Sequence, residues 1–407
     1  MPRVFAALLF LPFVVAVAPA QPKDDPLDRV TFRLTTTPAA APTPALKYQF
    51  RTPANERLPG NAALDYFRAS LLVPEWPRDP AEAKTLGDTI DRWEEMAVDE
   101  LPVAELTAHL DKFGGGFEAL DAAARRETVD WRQGVPVTQE RLNDVFREMG
   151  KAREMIRLNG LRVRRDIARN DFDAAARALR SGFRLSRAVG EGSTTIQLLV
   201  GTATGSVTLG RANDFVGRPG SPSLYWALAS LPKPVIDPRP ALEGEAEFAD
   251  RELKRMMPFA GKESFAACRE IRDEQYAAFG LPHPQAVTKL GEVRARVEVL
   301  KQARPDPVVS VFALTVPAVE KVYYSHIRLD RRVAALTAVE AVRLHAAAHT
   351  GTPPANLADI TAVPVPADPY TGRAFEYAAR PDGFTLTAQE DPASPGSGLR
   401  YVVAFRK

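Results

Sequence analysis

The chain has 407 residues, which is long enough to bury a substantial core in two or three domains. Its 53 lysines and arginines nearly balance 51 aspartates and glutamates, so the formal net charge is only +2. Nucleic-acid-binding proteins usually concentrate basic charge on one face, and this balance therefore gives no indication of a nucleic-acid partner. A single cysteine, Cys268, excludes an internal disulfide.

The first twenty residues have the pattern of a secretory signal peptide. One positive charge precedes the apolar run 4–18, and a small-x-small motif follows at residues 18–20. The apolar run is short for a membrane span and contains Pro12. We therefore expect a signal peptide over 1–20 that is cleaved after Ala20, and a periplasmic or secreted protein without stable membrane insertion. Retention of the signal as an anchor is the alternative.

A proline-rich segment, residues 21–60, separates the signal peptide from the rest of the chain. Its composition predicts an extended tether. Two short alternating runs within it, 30–34 and 46–50, are candidates for a small hairpin. A helical domain over 61–317 follows, and Asn61 is placed to cap its first helix.

Helical periodicity dominates this predicted domain. Residues 140–168 and 170–189 each carry an apolar stripe, and the polar turn 169–171 between them predicts an antiparallel helical hairpin. The next helix, 193–215, is crowded with small residues. Further helices are expected near 246–256, 262–278 and 285–303.

Gly201 and Gly205 in the small-residue helix have a spacing that lets two helices approach closely. The stretch also has a superficial similarity to a phosphate-binding loop. Such a loop needs a lysine after its last glycine, to reach the phosphates, and no lysine follows here. Close helix packing is therefore the interpretation we adopt.

The C-terminal region, residues 318–407, predicts a small α+β module. A long helix over about 318–349 is followed by three alternating runs, 373–379, 384–388 and 399–405, separated by turn residues. We expect a three-stranded antiparallel meander whose apolar face packs on the long helix. The predicted fold class is mainly α: an irregular multi-helix array with this small C-terminal module.

No complete catalytic motif is present. The nucleophile elbow Gly-x-Ser-x-Gly is missing. His345 and His349 lie four residues apart on the last helix, which is a spacing that suits two zinc ligands. The metalloprotease version needs a glutamate where Ala346 stands, and histidines at a helix C-terminus also interact favourably with its dipole. We assign no catalytic residue, cofactor or metal site, and leave metal binding by this pair open.

Acidic residues are grouped in 93–100, 243–248 and 269–276, and such groups are normal on solvated helix surfaces. Two carboxyl groups facing each other across a cleft would instead suit glycoside hydrolysis. Tryptophans can line a carbohydrate cleft, although those at helical spacing usually lie in a core. The four tryptophans are Trp76, Trp93, Trp131 and Trp226.

The region around residues 366–388 resembles the C-terminal half of the globular domain of type II secretion major pseudopilins. The match covers about 60 residues, and the prepilin processing site and the calcium-binding loop of that family have no counterpart here. Pilus assembly and calcium binding are therefore not implied. The Asp-Pro-Tyr-Thr-Gly stretch is interpreted as a turn in which Asp368 bonds local backbone amides. The matching residues are Asp368, Pro369, Gly372, Tyr377, Gly383 and Phe384.

Most of the mature chain is similar to a large family of exported proteins from planctomycete bacteria. The resemblance is carried by residues 45–72, 170–203 and 223–245. That family has no assigned activity, so the resemblance implies export and a helical body but no reaction.

These observations favour a non-enzymatic exported envelope protein that acts as a protein-interaction scaffold, with another envelope protein as its partner. The alternative is a glycan- or small-ligand-binding protein, or a hydrolase, that uses a cleft between helices. The bound partner or ligand and the binding residues are not predicted by the sequence.

Overall fold

The computed structural model describes residues 30–131, 139–257 and 261–406, without the side chains of residues 139–146 and 256. The predicted signal peptide, residues 1–20, lies outside the described residues.

Twelve α-helices and six strands lie in the described part of the chain. The helices are α1 (Ala62–Leu71), α2 (Pro80–Glu95), α3 (Val103–Asp111), α4 (Gly114–Arg125), α5 (Gln139–Ala168), α6 (Phe172–Gly190), α7 (Thr195–Gly217), α8 (Tyr225–Ala229), α9 (Arg239–Met256), α10 (Lys262–Ala277), α11 (His283–Ala303) and α12 (Pro307–Ala348). The strands are β1 (Val30–Thr36), β2 (Leu58–Asn61), β3 (Arg126–Thr128), β4 (Glu376–Arg380), β5 (Gly383–Ala388) and β6 (Leu399–Phe405). The predicted fold class, mainly α with a small C-terminal sheet, is confirmed.

Local capping explains where several helices begin. The Asn61 side chain accepts a hydrogen bond from the backbone N–H of Ala63 at the start of α1, as predicted. Asp171 caps α6 in the same way. The turn between α5 and α6 contains Asn170 at φ 57°, a left-handed conformation that asparagine tolerates. The predicted helical hairpin is thereby confirmed.

Helices α6 and α7 pack backbone to backbone at Gly201. A Cβ atom added to Gly201 would lie 2.3 Å from the Cα atom of Gly190, so neither position has room for a side chain. A Cβ atom on Gly205 would lie 3.0 Å from the side chain of Leu329 on α12. The close helix packing predicted from the spacing of these glycines is confirmed.

The longest helix, α12, begins earlier than the sequence predicted. It starts at Pro307, where the Asp306 side chain accepts from two backbone N–H groups, and it continues through Pro317. The predicted start near 318 was wrong because a single proline removes only one helical hydrogen bond, and the stretch before it has its own cap.

The C-terminal sheet has four strands in the order β1-β6-β5-β4. Strands β4, β5 and β6 form the predicted antiparallel meander. Phe375, Phe384 and Leu386 are buried in the core that this sheet shares with the helices. The fourth strand, β1, pairs parallel to β6 and comes from the N-terminal segment.

The hairpin considered for 30–34 and 46–50 does not form. The first run is a strand, but its partner is β6, and the second run is not a strand. Residues of the expected tether also pack on the body: Tyr48 and Phe50 are buried in the main core, and the Tyr48 hydroxyl donates to Asp173 at 2.5 Å. Burying the apolar side chains of this segment in the core is favourable in free energy, and an extended tether would leave them exposed to water.

The main core continues from the helices into the sheet. It includes buried residues of α5 to α8, α12, β5 and β6. A second core lies among α1 to α7 and contains Trp93 and Trp131. Residue 318, where the sequence placed the start of the C-terminal module, lies inside α12.

Candidate functional site

An exposed apolar surface lies on α1 and the segment that follows it. Among the described residues, eight large hydrophobic side chains are exposed, and four of them fall within residues 64–76. These four, Leu64, Leu71, Leu72 and Trp76, are called the α1 surface here. Leu71 is 85% exposed. Isolated exposed leucines are ordinary, whereas larger exposed apolar patches are a common feature of interaction surfaces.

Local structure places these side chains on the outside. The opposite face of α1, which includes Ala63 and Tyr66, is buried in the second core. Leu64 and Leu71 are seven residues apart and therefore share the outer face. One side of the Trp76 ring packs against Gly87 of α2, and 42% of the residue is exposed.

A buried network centred on Arg331 holds the Asp-Pro-Tyr-Thr-Gly stretch against α12. Arg331 donates from Nε and Nη2 to the two carboxylate oxygens of Asp368, at 2.9 and 2.7 Å. Its guanidinium also lies 4.1 Å from the ring centroid of Tyr370. Asp368 accepts in addition from the backbone N–H of Tyr370, the local bond that the sequence predicted. The stretch is therefore a turn anchored by a buried ion pair, whose Arg331 member was not predicted from the sequence.

His283, the first residue of α11, links two further side chains. Its Nε2 donates to Asp391 at 2.5 Å, and its Nδ1 lies 2.9 Å from the Tyr323 hydroxyl. The ring also stacks on Tyr370 at 4.1 Å. An Asp–His–Tyr chain can transfer protons, but His283 and Tyr323 are both buried, and burial raises the pKa of the Tyr323 hydroxyl. The chain therefore fastens the 389–398 loop to α11 and α12.

A second buried pair on α12 fixes the N-terminal segment. Arg343 donates to Glu340 at 2.5 Å, and both side chains are fully buried. Arg343 also donates to the backbone oxygens of Thr37 and Ser221, each at 3.0 Å. Glu340 accepts from Ser223 at 2.7 Å. Two opposite charges three residues apart inside an apolar helical run were the sequence signal that could have identified this pair.

The histidine pair near the end of α12 stacks ring on ring. The centroids of His345 and His349 are 3.9 Å apart, and His349 Nδ1 donates to the backbone oxygen of His345. Burial and the neighbouring His349 lower the pKa of His345. Within the described residues no group of three or more His, Cys, Asp and Glu side chains is arranged to hold a metal ion.

Cys268 is buried among apolar side chains of α10, α11 and α12. Burial, with a smaller contribution from Asp306, raises the pKa of its thiol to about 11. A thiol that stays protonated at neutral pH is a poor nucleophile. Cys268 therefore fills space in a core.

The acidic groups singled out from the sequence lie mainly in ion pairs. Glu94 and Asp91 both bind Arg157. Glu270 and Glu274 both bind Arg296. These pairs join neighbouring helices, and their carboxylates do not face one another across a cleft.

Glu245 has a capping role at the start of α7. It accepts from the backbone N–H and the hydroxyl of Thr195, at 3.1 and 3.0 Å, and burial raises its pKa. A shallow depression of about 480 Å³ lies along one side of α2, lined by Asp88, Asp91, Arg92, Glu95 and Met96. Since all of its lining comes from one helix and the residue after it, it is not a cleft between helices.

The tryptophans do not converge on a common groove. Trp93 and Trp131 lie in the second core, where Trp131 donates to the backbone oxygen of Ala188 at 2.5 Å. Trp226 packs against the main core. Only Trp76 of the four is exposed, and it belongs to the α1 surface.

Comparison with protein-family models, with curated proteins and with solved structures gave no match. None of the described helices is long and apolar enough to cross a membrane.

Proposed function

We propose that the protein is a non-enzymatic component of the cell envelope that acts as an interaction scaffold, and that it binds another envelope protein through the α1 surface. The observation that carries this proposal is the concentration of Leu64, Leu71, Leu72 and Trp76 on one exposed region. Burying such side chains against a partner removes apolar area from water, which is the main driving force of protein association.

The composition of this region supports a protein partner. Interfaces commonly have an apolar centre with an aromatic anchor and a charged rim. Here Trp76 is the aromatic residue, and the exposed residues Arg68, Glu75 and Arg78 are interspersed in the sequence with the apolar positions or directly follow them. A rim of mixed sign favours a protein over a nucleic acid, which would require a basic surface.

Export is the part of the proposal that comes from the sequence. The expected signal peptide over 1–20, and the similarity of the chain to exported proteins of planctomycete bacteria, both favour an envelope location. The glycan-binding or hydrolytic alternative needs convergent carboxylates and tryptophans, and the described carboxylates and tryptophans give it no support.

The proposal is tested by affinity purification of the tagged protein from its own envelope fraction under non-denaturing conditions. Leu71→Glu places a charge at the most exposed residue of the α1 surface. Leu314→Glu makes the same change at an exposed leucine on α12 and serves as the control. We expect one stoichiometric protein partner with the wild type and with Leu314→Glu, and its loss with Leu71→Glu. Equal recovery with both variants, or a co-purifying glycan in place of a protein, would contradict the proposal.

A further inference from the structure

Strand β4 forms an edge of the C-terminal sheet. It pairs on one side with β5, and the sheet order places nothing beyond it. Four of its five residues are exposed, and the exception is Tyr377. An edge strand presents unpaired backbone N–H and C=O groups, which is the template for adding another strand.

The hydrogen-bond alternation of the sheet identifies the residues whose backbone groups face outward. Phe405 donates its backbone N–H to the oxygen of Asp382 at 2.7 Å, so even-numbered residues of β5 bond to β6 and odd-numbered ones bond to β4. By the same alternation, the backbone groups of Tyr377 and Ala379 in β4 point away from β5. These two residues supply two donors and two acceptors at the open edge.

The sequence of β4, Glu-Tyr-Ala-Ala-Arg, complements itself when two copies run antiparallel about Ala378. Tyr377 of one copy then lies opposite Ala379 of the other, and this pairing uses all four outward backbone groups of each strand. Glu376 lies opposite Arg380 of the second copy on the exposed face, so each of the two cross-strand pairs joins opposite charges.

Neither of these charges has an opposite charge as a partner within the part of the chain that the structure describes. Glu376 accepts two hydrogen bonds from the neutral amide of Gln389, which hold its carboxylate in place. Arg380 is exposed and makes no side-chain hydrogen bond or ion pair with described residues. The charges are thus available to a second strand.

The strand at the opposite edge of the sheet, β1, is not complementary in charge to a second copy of itself. Strand β1 carries Arg33 at its centre, so antiparallel self-pairing there would place two arginines face to face. Its last residue, Thr36, is buried and donates to the backbone oxygen of Val216 on α7 at 2.5 Å. Like charges are one of the ways in which proteins protect an edge from self-association. Strand β4 lacks that protection.

We propose that two copies of this chain associate through β4, antiparallel and with Ala378 on the two-fold axis, to give a continuous eight-stranded sheet. The occupant of the edge is a second copy because the charges at its two ends match each other. This inference is independent of the α1 surface, which lies on a different element.

Sedimentation velocity of the protein purified after export, over a range of concentrations, tests the dimer. Arg380→Glu places like charges opposite each other and is expected to raise the dissociation constant at least about tenfold, which corresponds to about 1.4 kcal/mol. The double variant Glu376→Arg/Arg380→Glu exchanges the charges, restores the complementarity and should restore the dimer. Far-UV circular dichroism checks that each variant keeps its fold.

A second substitution tests the backbone contribution. Ala379→Pro removes an outward-facing N–H without removing a bond to β5, and it should abolish the dimer. A wild-type protein that stays monomeric up to ~100 µM would overturn the proposal, and so would a dimer unchanged by Arg380→Glu or not restored by the charge exchange. If the wild type is monomeric and Ala379→Pro instead loses a peptide-strand partner, the edge serves another protein and the self-association proposal fails.

Discussion

At the scale of single residues, two arginines on α12 connect segments that are distant in the chain. Arg331 binds Asp368 in the turn before the sheet, and Arg343 binds the backbone of Thr37 in the N-terminal segment. The sequence predicted the local backbone bond of Asp368 because such turns follow from near neighbours. It did not predict Arg331, since a partner 37 residues away is chosen by tertiary packing.

Breaking the Arg331 network should destabilise the protein strongly. Arg331→Met leaves the buried carboxylate of Asp368 without a counter-charge, and the expected loss of unfolding free energy is about 3–5 kcal/mol. Asp368→Asn in the same chain should recover part of that loss. Arg304→Met, in an exposed pair with Glu263, is the control and should cost no more than ~1 kcal/mol. Urea unfolding measures all three variants, and similar losses for Arg331→Met and Arg304→Met would contradict the assigned role.

Asp330 and His326, one turn apart on α12, should make the stability depend on pH in opposite directions. Burial raises the pKa of Asp330 to about 7, against the weaker opposing effects of its bond from the Val235 N–H and of nearby Lys233. Burial lowers the pKa of His326 to about 4, opposed by nearby Asp237.

The signs follow from proton linkage. Asp330 binds its proton more tightly in the folded state, so its contribution is complete below about pH 4 and is lost as the pH rises through 7. His326 favours the neutral form when folded, so stability is lost as the pH falls from about 6.5 towards 4.

Asp330→Asn removes the first of these effects while keeping an acceptor for the Val235 N–H. The wild type loses the Asp330 contribution as the pH rises, and the variant does not. We therefore expect the unfolding free energy of the variant, relative to that of the wild type, to rise by on the order of 1–2 kcal/mol from pH 5 to pH 7. Urea unfolding at several pH values measures this difference. A constant difference across that range would show that Asp330 titrates normally in the folded protein.

At the scale of elements, the helices and the β4-β5-β6 meander were predictable, and the partner of β1 was not. Caps such as Asn61 and Asp171 lie next to the helices they start, so the signal is local. The start of α12 was misplaced because Pro317 has the sequence pattern of a helix boundary. The pairing of β1 with β6 joins the two ends of the described chain, and the alternation of a strand does not specify its partner.

The close approach of α6 and α7 gives a test at this scale. Gly201→Ala places a Cβ atom against the backbone of Gly190, so the two helices must move apart, and we expect a loss of about 1–3 kcal/mol. Gly210→Ala lies on the same helix with no atom within 4 Å of its added Cβ. That control should gain up to ~1 kcal/mol through its higher helix propensity. Thermal unfolding compares the two, and an equal effect of both substitutions would contradict the packing argument.

At the scale of the whole molecule, two polar side-chain networks are buried in the described part of the chain, while the apolar residues of the α1 surface are exposed to solvent. The buried networks of Arg331 and Arg343 fasten the sheet and the N-terminal segment to α12. The α1 surface lies outside those networks. The Arg331 partner of Asp368 and the exposure of the α1 surface could not be read from the sequence, because both are decided by tertiary packing, whereas Glu340 and Arg343 left a sequence signal in their i,i+3 spacing.

Site-specific photo-crosslinking in living cells tests the central claim most directly. A photoreactive amino acid replaces Leu71 in one strain and Leu314 in another, since both positions are exposed leucines on helices. If the α1 surface binds an envelope protein, light should give one adduct of defined mass at position 71 and none at position 314. No adduct at position 71, or the same adducts at both positions, would contradict the account.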